Sequence, residues 1–278
     1  MYRMPPEGLA LSWMAHNHRF LSSALERIRL LLEHHSTSVG SESPQSGPDL
    51  APWGADGWPE WTGESDQAAR IYRLVERLKL TGFERDILLL CVGMEVDGRL
   101  AELCAKAHGN PKLNHPTFSL GLAALPGAHW SAISPSAGLR RWELIEVESG
   151  PVLTVSRLRI DERVWQYFLG IDGLDSRVER FTQELPNAGI LVDSHQELAA
   201  RVASTCIESG KAPVVQLFGT VLADQCGIAS RVAAHLRMKL SRVPARLLPT
   251  GARELDEFIR IWKREVLLDR RGLLLDCH

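Results

Sequence analysis

The sequence predicts an α+β front part followed by an α/β rear part, on two observations. As far as residue 170 the apolar positions recur mostly at helical spacing and end in a hairpin signal, whereas beyond residue 190 strand-like and helix-like runs alternate. A Ser-, Pro- and Gly-rich stretch, Thr37 to Gly63, separates the first helix from the rest of the chain. The expected organisation is therefore an amphipathic helix over 1–36, a flexible linker over 37–65, a compact module over 66–170 and a partial α/β domain over 171–278.

Within 21–32 the positions Leu21, Ala24, Leu25, Ile28, Leu31 and Leu32 share one helix face. The His34-His35 pair closing this helix reads as a favourable cationic C-terminus rather than a metal pair. Trp53, Trp58 and Trp61 are unusual for a linker and fit either a segment that docks on a neighbouring surface or a partly ordered loop. Ala68 to Leu80 predicts a helix, and Thr81-Gly82-Phe83-Glu84 has the form of a capping box opening another, Phe83 to Met94. That second helix is apolar almost throughout, so it should be the most buried. Helices are expected over Asp97–His108, over Phe118–Leu125 with Thr117 as cap, over Ala137–Arg141 and over Asp161–Leu169. Trp142–Glu148 and Val152–Val155 predict a hairpin around Ser149-Gly150-Pro151. Several helices followed by a two-stranded wing is the winged-helix order of elements.

In the rear part, Ser194-His195-Gln196-Glu197 predicts a helix start. Strands are expected over Pro213–Phe218, Arg242–Leu248 and Gly272–Asp276, with helices over Cys226–Lys239 and Glu254–Arg270. This alternation predicts a parallel sheet.

Composition narrows the function classes. Hydrophobic residues make up 45% and charged residues 24% of the chain, the balance of a soluble globular protein. The formal net charge of −2 removes the simplest argument for a nucleic-acid or membrane-surface partner. Cys91, Cys104, Cys206, Cys226 and Cys277 are widely spaced, without a Cys-x-x-Cys pair, and read as free thiols. With no secretory signal at the start and no apolar run of roughly 18 residues, the expected compartment is the cytoplasm.

The turn after the Pro213–Phe218 strand is where a phosphate-binding loop, Gly-x-x-x-x-Gly-Lys-Ser/Thr, would stand. Gly219 is in place, but Asp224 takes the second Gly position, Gln225 the Lys position and Cys226 the Ser/Thr position. A carboxylate in a phosphate nest and a missing cation make ATP hydrolysis there improbable. The last strand, Leu273-Leu274-Leu275-Asp276, has the apolar run and terminal Asp of a Walker B strand, where Asp276 would meet magnesium; Cys277 replaces the usual Glu. No catalytic residue and no metal ligand set emerges elsewhere.

The runs Phe83–Cys91, Leu103–Ala107, Pro116–Leu120, Arg140–Ile145 and Leu158–Val164 resemble the amino-terminal winged-helix region of AAA-type ATPases encoded with extracellular contractile injection systems. The first helix and Leu255–Asp276 are similar to that family as well. The resemblance implies a mostly helical winged-helix-like module followed by an incomplete parallel P-loop-type (AAA-like) sheet, degenerate in its first AAA module. ATP and magnesium are the parent family's cofactors, and none is expected in this chain. The sheet order 5-1-4-3-2 of such proteins leaves a gap between the first and third strands seen here, so either a longer natural protein or a trimmed or truncated product is expected. The implied role is assembly or cargo loading, with protein partners such as injection-system components or further copies of the chain.

The alternative is a winged-helix DNA binder, with Arg140, Arg141, Arg157 and Arg159 near the wing available for a phosphate backbone. Residues 66–169 carry thirteen Lys plus Arg against twelve Asp plus Glu, and Phe118–Leu125 has no charge at all. That balance favours protein contacts, because phosphate contacts supply most non-specific DNA affinity.

Overall fold

The structure is a computed structural model that describes residues 7–38, 48, 50, 53–54, 57–58, 69–183, 185, 191–209 and 214–278. The chain divides into two compact units, Met1–Gly173 and Leu174–His278. Trp61, Pro213 and the residues around Asp66 lie outside the described residues.

In the first unit, α1 (Glu7–Ser38) covers most of the expected amphipathic helix and ends two residues beyond it. Its six predicted face residues are all buried. It packs on α3 and α4, with α2 (Arg70–Leu78) before them in sequence. The helix α3 (Gly82–Val96) is buried from Phe83 through Gly93, so neighbours cover it on every side. Its approach to α1 is close because Gly93 has no side chain: a Cβ there would stand 2.8 Å from Leu100 Cδ1 and 3.3 Å from Leu25 Cδ2. The capping box at its start is present, with Thr81 Oγ1 accepting from Glu84 N–H and the Glu84 carboxylate accepting from Thr81 N–H. Thr81→Ala should cost about 1 kcal/mol in a denaturant titration; a loss below the error of that titration would show that the cap contributes nothing.

The segment expected to be a linker docks in part, and the two described tryptophans explain how. The Trp53 indole N–H donates to Ser23 O at 3.1 Å. Trp58 is buried between Phe20 and Tyr72, at ring distances of 5.5 and 5.6 Å, under the Arg85 guanidinium. Aromatic burial outweighs the ordering entropy that composition alone predicts to prevail.

The helices α4 (Arg99–His108), α5 (Phe118–Ala124) and α6 (Gly138–Arg141) lead to a two-stranded antiparallel sheet, β1 (Ile145–Val147) and β2 (Leu158–Ile160). The expected second strand is corrected here: Val152–Val155 is not a strand, and Leu153–Val155 forms a 3₁₀ turn. The reason is burial. Leu158 and Ile160 point into the core with Arg159 outward, whereas Val152, Leu153 and Val155 are 50%, 42% and 40% exposed. The wing is thus a longer loop with an aliphatic tip. After it, α7 (Glu162–Phe168) is capped by the Asp161 carboxylate, which accepts from Val164 N–H.

In the second unit, α8 (Ser176–Glu179) packs on α11 (Ala252–Asp269). The helices α9 (Asp193–Ser209) and α10 (Leu222–His235) pack on each other. Helix α9 begins at Asp193, so Ser194 lies inside it instead of capping it. Two strands, β3 (Lys239–Pro244) and β4 (Arg271–Asp276), pair in parallel with α11 between them in sequence. Their core is Val178, Val243, Phe258, Ile261 and Trp262. The larger parallel sheet is not seen. Among the described residues of Pro213–Phe218, Val214 to Phe218 form no strand, and Val214 and Phe218 are 92% and 89% exposed. An apolar run becomes a strand only when a neighbouring strand takes its backbone groups, and among the described residues none does. The second expected strand is also shifted, because Ala245–Leu247 turns into a 3₁₀ helix after Pro244.

Candidate functional site

Two places draw together the residues singled out from sequence, one in each unit. In the first, Thr117 caps α5 by accepting from Leu120 N–H, and Phe118, Leu120 and Gly121 are buried beneath it. The 3₁₀ turn of the wing packs against α5. Two of the four wing arginines have a local side-chain partner, and the other two stand opposite acidic residues in the strand register. Arg140 Nη1 donates to Ile133 O at 2.7 Å, and the Arg141 guanidinium stands 5.4 Å from the Trp142 ring centroid. Arg159 is directly opposite Glu146 across the strand pair, and Arg157 is opposite Glu148, whose N–H donates to Arg157 O. The wing thus carries charges of both signs on its face and aliphatic groups at its tip.

In the second unit, the turn from Gly219 to Gln225 does meet the end of β4. Gln225 Nε2 donates to Gly219 O at 3.0 Å, and Gln225 Oε1 lies 3.0 Å from His278 Nε2. The side chain in the lysine position therefore closes the turn on itself. Asp224 falls in the first turn of α10, where a carboxylate complements the helix dipole and takes the anion's place. Cys226 is fully buried, and burial pushes its thiol up, although Arg242 pulls the other way. A protonated thiol is a poor magnesium ligand.

Asp276 is also engaged. Its Oδ2 accepts from Arg242 Nε at 3.0 Å and Nη2 at 2.6 Å, and its Oδ1 accepts from the His278 backbone N–H at 2.9 Å. Burial raises its pKa, but these hydrogen bonds and the Arg242 charge prevail and hold it below the ordinary carboxylate range. A magnesium ion would have to displace a guanidinium from a nearly buried carboxylate. The residues present do not fit ATP with magnesium, and no chemical step is assigned to them.

Arg242 and His278 were not singled out by sequence reasoning. One signal was available for Arg242: a guanidinium inside a parallel strand needs a nearby acid, and Asp276 at the end of the next strand is that acid. Among the described residues no group of three or more His, Cys, Asp or Glu is arranged to hold a metal ion, and no helix is long and apolar enough to cross a membrane.

Comparison with known proteins agrees with the first unit. Residues 60–182 match the family model described as winged helix domain, variant. This part of the chain is a winged helix domain, and its order of helices followed by a two-stranded wing is the one seen in the structure. None of the curated proteins and none of the solved structures matches the chain.

Proposed function

We propose that this chain is the non-catalytic interaction and regulatory portion of a AAA-type ATPase that serves assembly or cargo loading of a contractile injection system in the cytoplasm. The observation that carries this reading is the engagement of Asp276 by Arg242, together with Gln225 bonded back onto Gly219. In this reading the turn and the strand end correspond to the nucleotide and magnesium positions of the parent family, with their polar groups engaged by Arg242, Gly219 and His278. Such a module contributes surfaces instead of turnover. Its winged helix domain then acts through protein contacts, made with injection-system components or with further copies of the chain.

Thermal unfolding with and without ATP and magnesium tests the reading. A ligand at 100-fold its Kd stabilises by about 2.7 kcal/mol, enough to move the melting temperature by several degrees. The expected result at ~1 mM nucleotide is a shift below about 1 °C. A shift of several degrees, or ATP turnover by the purified chain, would sink the proposal.

The winged helix match supports a second reading, a DNA-binding regulator. The uncharged α5 and the mixed charges of the wing weigh against it. A gel shift with duplex DNA at ~150 mM salt is expected to show no retarded band; salt-sensitive binding that Arg157→Ala and Arg159→Ala weaken would favour DNA.

A further inference from the structure

The parallel pair of β3 and β4 has two outer edges, and they are built differently. Lys239 N–H donates to Arg270 O at 3.2 Å, and in a parallel ladder that bond fixes which peptide groups face the neighbouring strand. Lys239, Ser241 and Val243 turn theirs toward β4, whereas Leu240, Arg242 and Pro244 turn theirs away. The outer side of β3 bears this out, because Gln183 N–H donates to Arg242 O there at 2.9 Å. By the same alternation Arg271, Leu273 and Leu275 of β4 present their backbone groups to the side away from β3. Among the described residues, nothing takes the N–H and C=O groups of Leu273 and Leu275.

We propose that the outer edge of β4 is the surface through which two copies of this chain pair, strand against strand, about a two-fold axis. Joined in this way, two short sheets become one sheet of four strands in the order β3-β4-β4-β3. The pairing belongs to the second unit and does not rest on the ATPase reading.

The chemistry of the edge selects this occupant. Edge strands are normally blunted by a proline, a charged side chain or a covering segment. On β3 the Gln183 bridge occupies the edge and Pro244 ends it. From Gly272 to Leu275 the sequence of β4 is Gly-Leu-Leu-Leu, with no such device. Leu273 and Leu275 share a face with the buried Ser241 and Val243, yet are 39% and 45% exposed, so the helices α10 and α11 that contact β4 stop short of its edge. A partner must therefore bring unpaired peptide groups and apolar side chains together. A second β4 edge brings both, and an open edge in antiparallel pairing is its own complement, so the contact closes on two copies.

The alternation also sets the register. If Leu273 faced its own counterpart, Leu275 would stand opposite Arg271, whose guanidinium is held by Ser241 Oγ at 3.0 Å. With Leu273 opposite Leu275 of the partner subunit, both pairs exchange N–H···O bonds in each direction and all four leucines lie together on one face. The latter register removes more apolar surface from water and is the one expected. The competing occupant is Val214–Phe218 of a second copy, which is apolar and exposed. It forms no strand here, so docking it would cost the entropy of ordering five residues, whereas β4 is already extended.

Sedimentation equilibrium of the full chain, from nanomolar to high micromolar concentration, tests the pairing. The mass should rise with concentration from 30.9 kDa toward twice that value. The double variant L273K/L275K, with its circular dichroism unchanged, should raise the dissociation constant at least ~10-fold. The variant V214D/F218D should leave the dimer as it is. Hydrogen exchange of the Leu273 and Leu275 amides in the parent chain should slow as concentration rises, a readout that needs no variant to fold. A single-chain mass at every concentration, a dimer that survives the lysines in a folded variant, or exchange at these two amides that ignores concentration would each overturn the proposal. So would a dimer abolished by V214D/F218D, which would assign the edge to a donated Val214–Phe218 strand.

Discussion

Replacing Asp86 with Ala is expected to destabilise the first unit by about 3–5 kcal/mol, the cost of leaving buried charge without its counter-ion. Asp86 is 0% exposed in the middle of α3. Both of its oxygens accept from Arg27 Nη1 at 2.9 Å, and Oδ1 also accepts from Arg85 Nε at 2.7 Å. Arg27 and Arg85 are 5% and 4% exposed, so removing the carboxylate strands two guanidiniums. The tryptophan segment seals the group. Gly57 turns with φ of +73°, and a Cβ at that position would stand 2.6 Å from Arg85 Nη2, so the loop closes directly over the charges. Of the eight tryptophans all but Trp262 precede Gly173, which makes fluorescence in a urea titration a report on this unit. The triple replacement of Arg27 and Arg85 by Met and Asp86 by Leu should recover much of the loss, because apolar groups of similar volume remove the desolvation problem. A loss under about 1 kcal/mol for Asp86→Ala would show that water reaches the arginines.

Asp175→Ala should have an effect of similar size, about 3–5 kcal/mol, confined to the second unit. Asp175 accepts from Arg264, whose side chain is 1% exposed, and from Arg177 Nε and Nη2 at 2.9 and 2.6 Å. It also accepts from Arg177 N–H as the cap of α8. The carboxylate thereby ties α8 to α11, next to the core of Val178, Phe258 and Trp262. Burial raises its pKa, but the Arg177 hydrogen bonds and the charges of Arg264 and Arg177 outweigh that and hold it below its ordinary value. Its contribution is therefore present above the unfolded value of 3.8 and lost as pH falls through the lower folded value. Trp262 fluorescence, isolated by replacing the tryptophans of the first unit, would follow the transition. Unfolding of the second unit that is indifferent to Asp175→Ala and to pH between about 4 and 2 would contradict the assignment.

Helices with a strong local signature were legible from sequence, and the face of α1, the capping box of α3 and the Thr117 cap all stand as expected. The strands were less legible, for a physical reason. Val152–Val155 and Val214–Phe218 have the composition of strands, but a strand exists only through partners that lie elsewhere in the chain. At the rear site the residues Gly219, Asp224, Gln225, Cys226 and Asp276 were found by spacing. Their engagement by Arg242 and His278 was not, because those contacts join positions 34 and 53 residues apart.

By itself, the sequence determined the helical order of the front part, the absence of a phosphate-binding lysine beside Gly219, and the near-even charge balance of residues 66–169 with no charge in α5. Those properties follow from residue type and local spacing. Only the tertiary structure decided that Trp53 and Trp58 dock, that β2 is Leu158–Ile160, and that Asp276 is held by Arg242. Each of these depends on burial and on contacts between residues far apart in the chain, which no local pattern encodes.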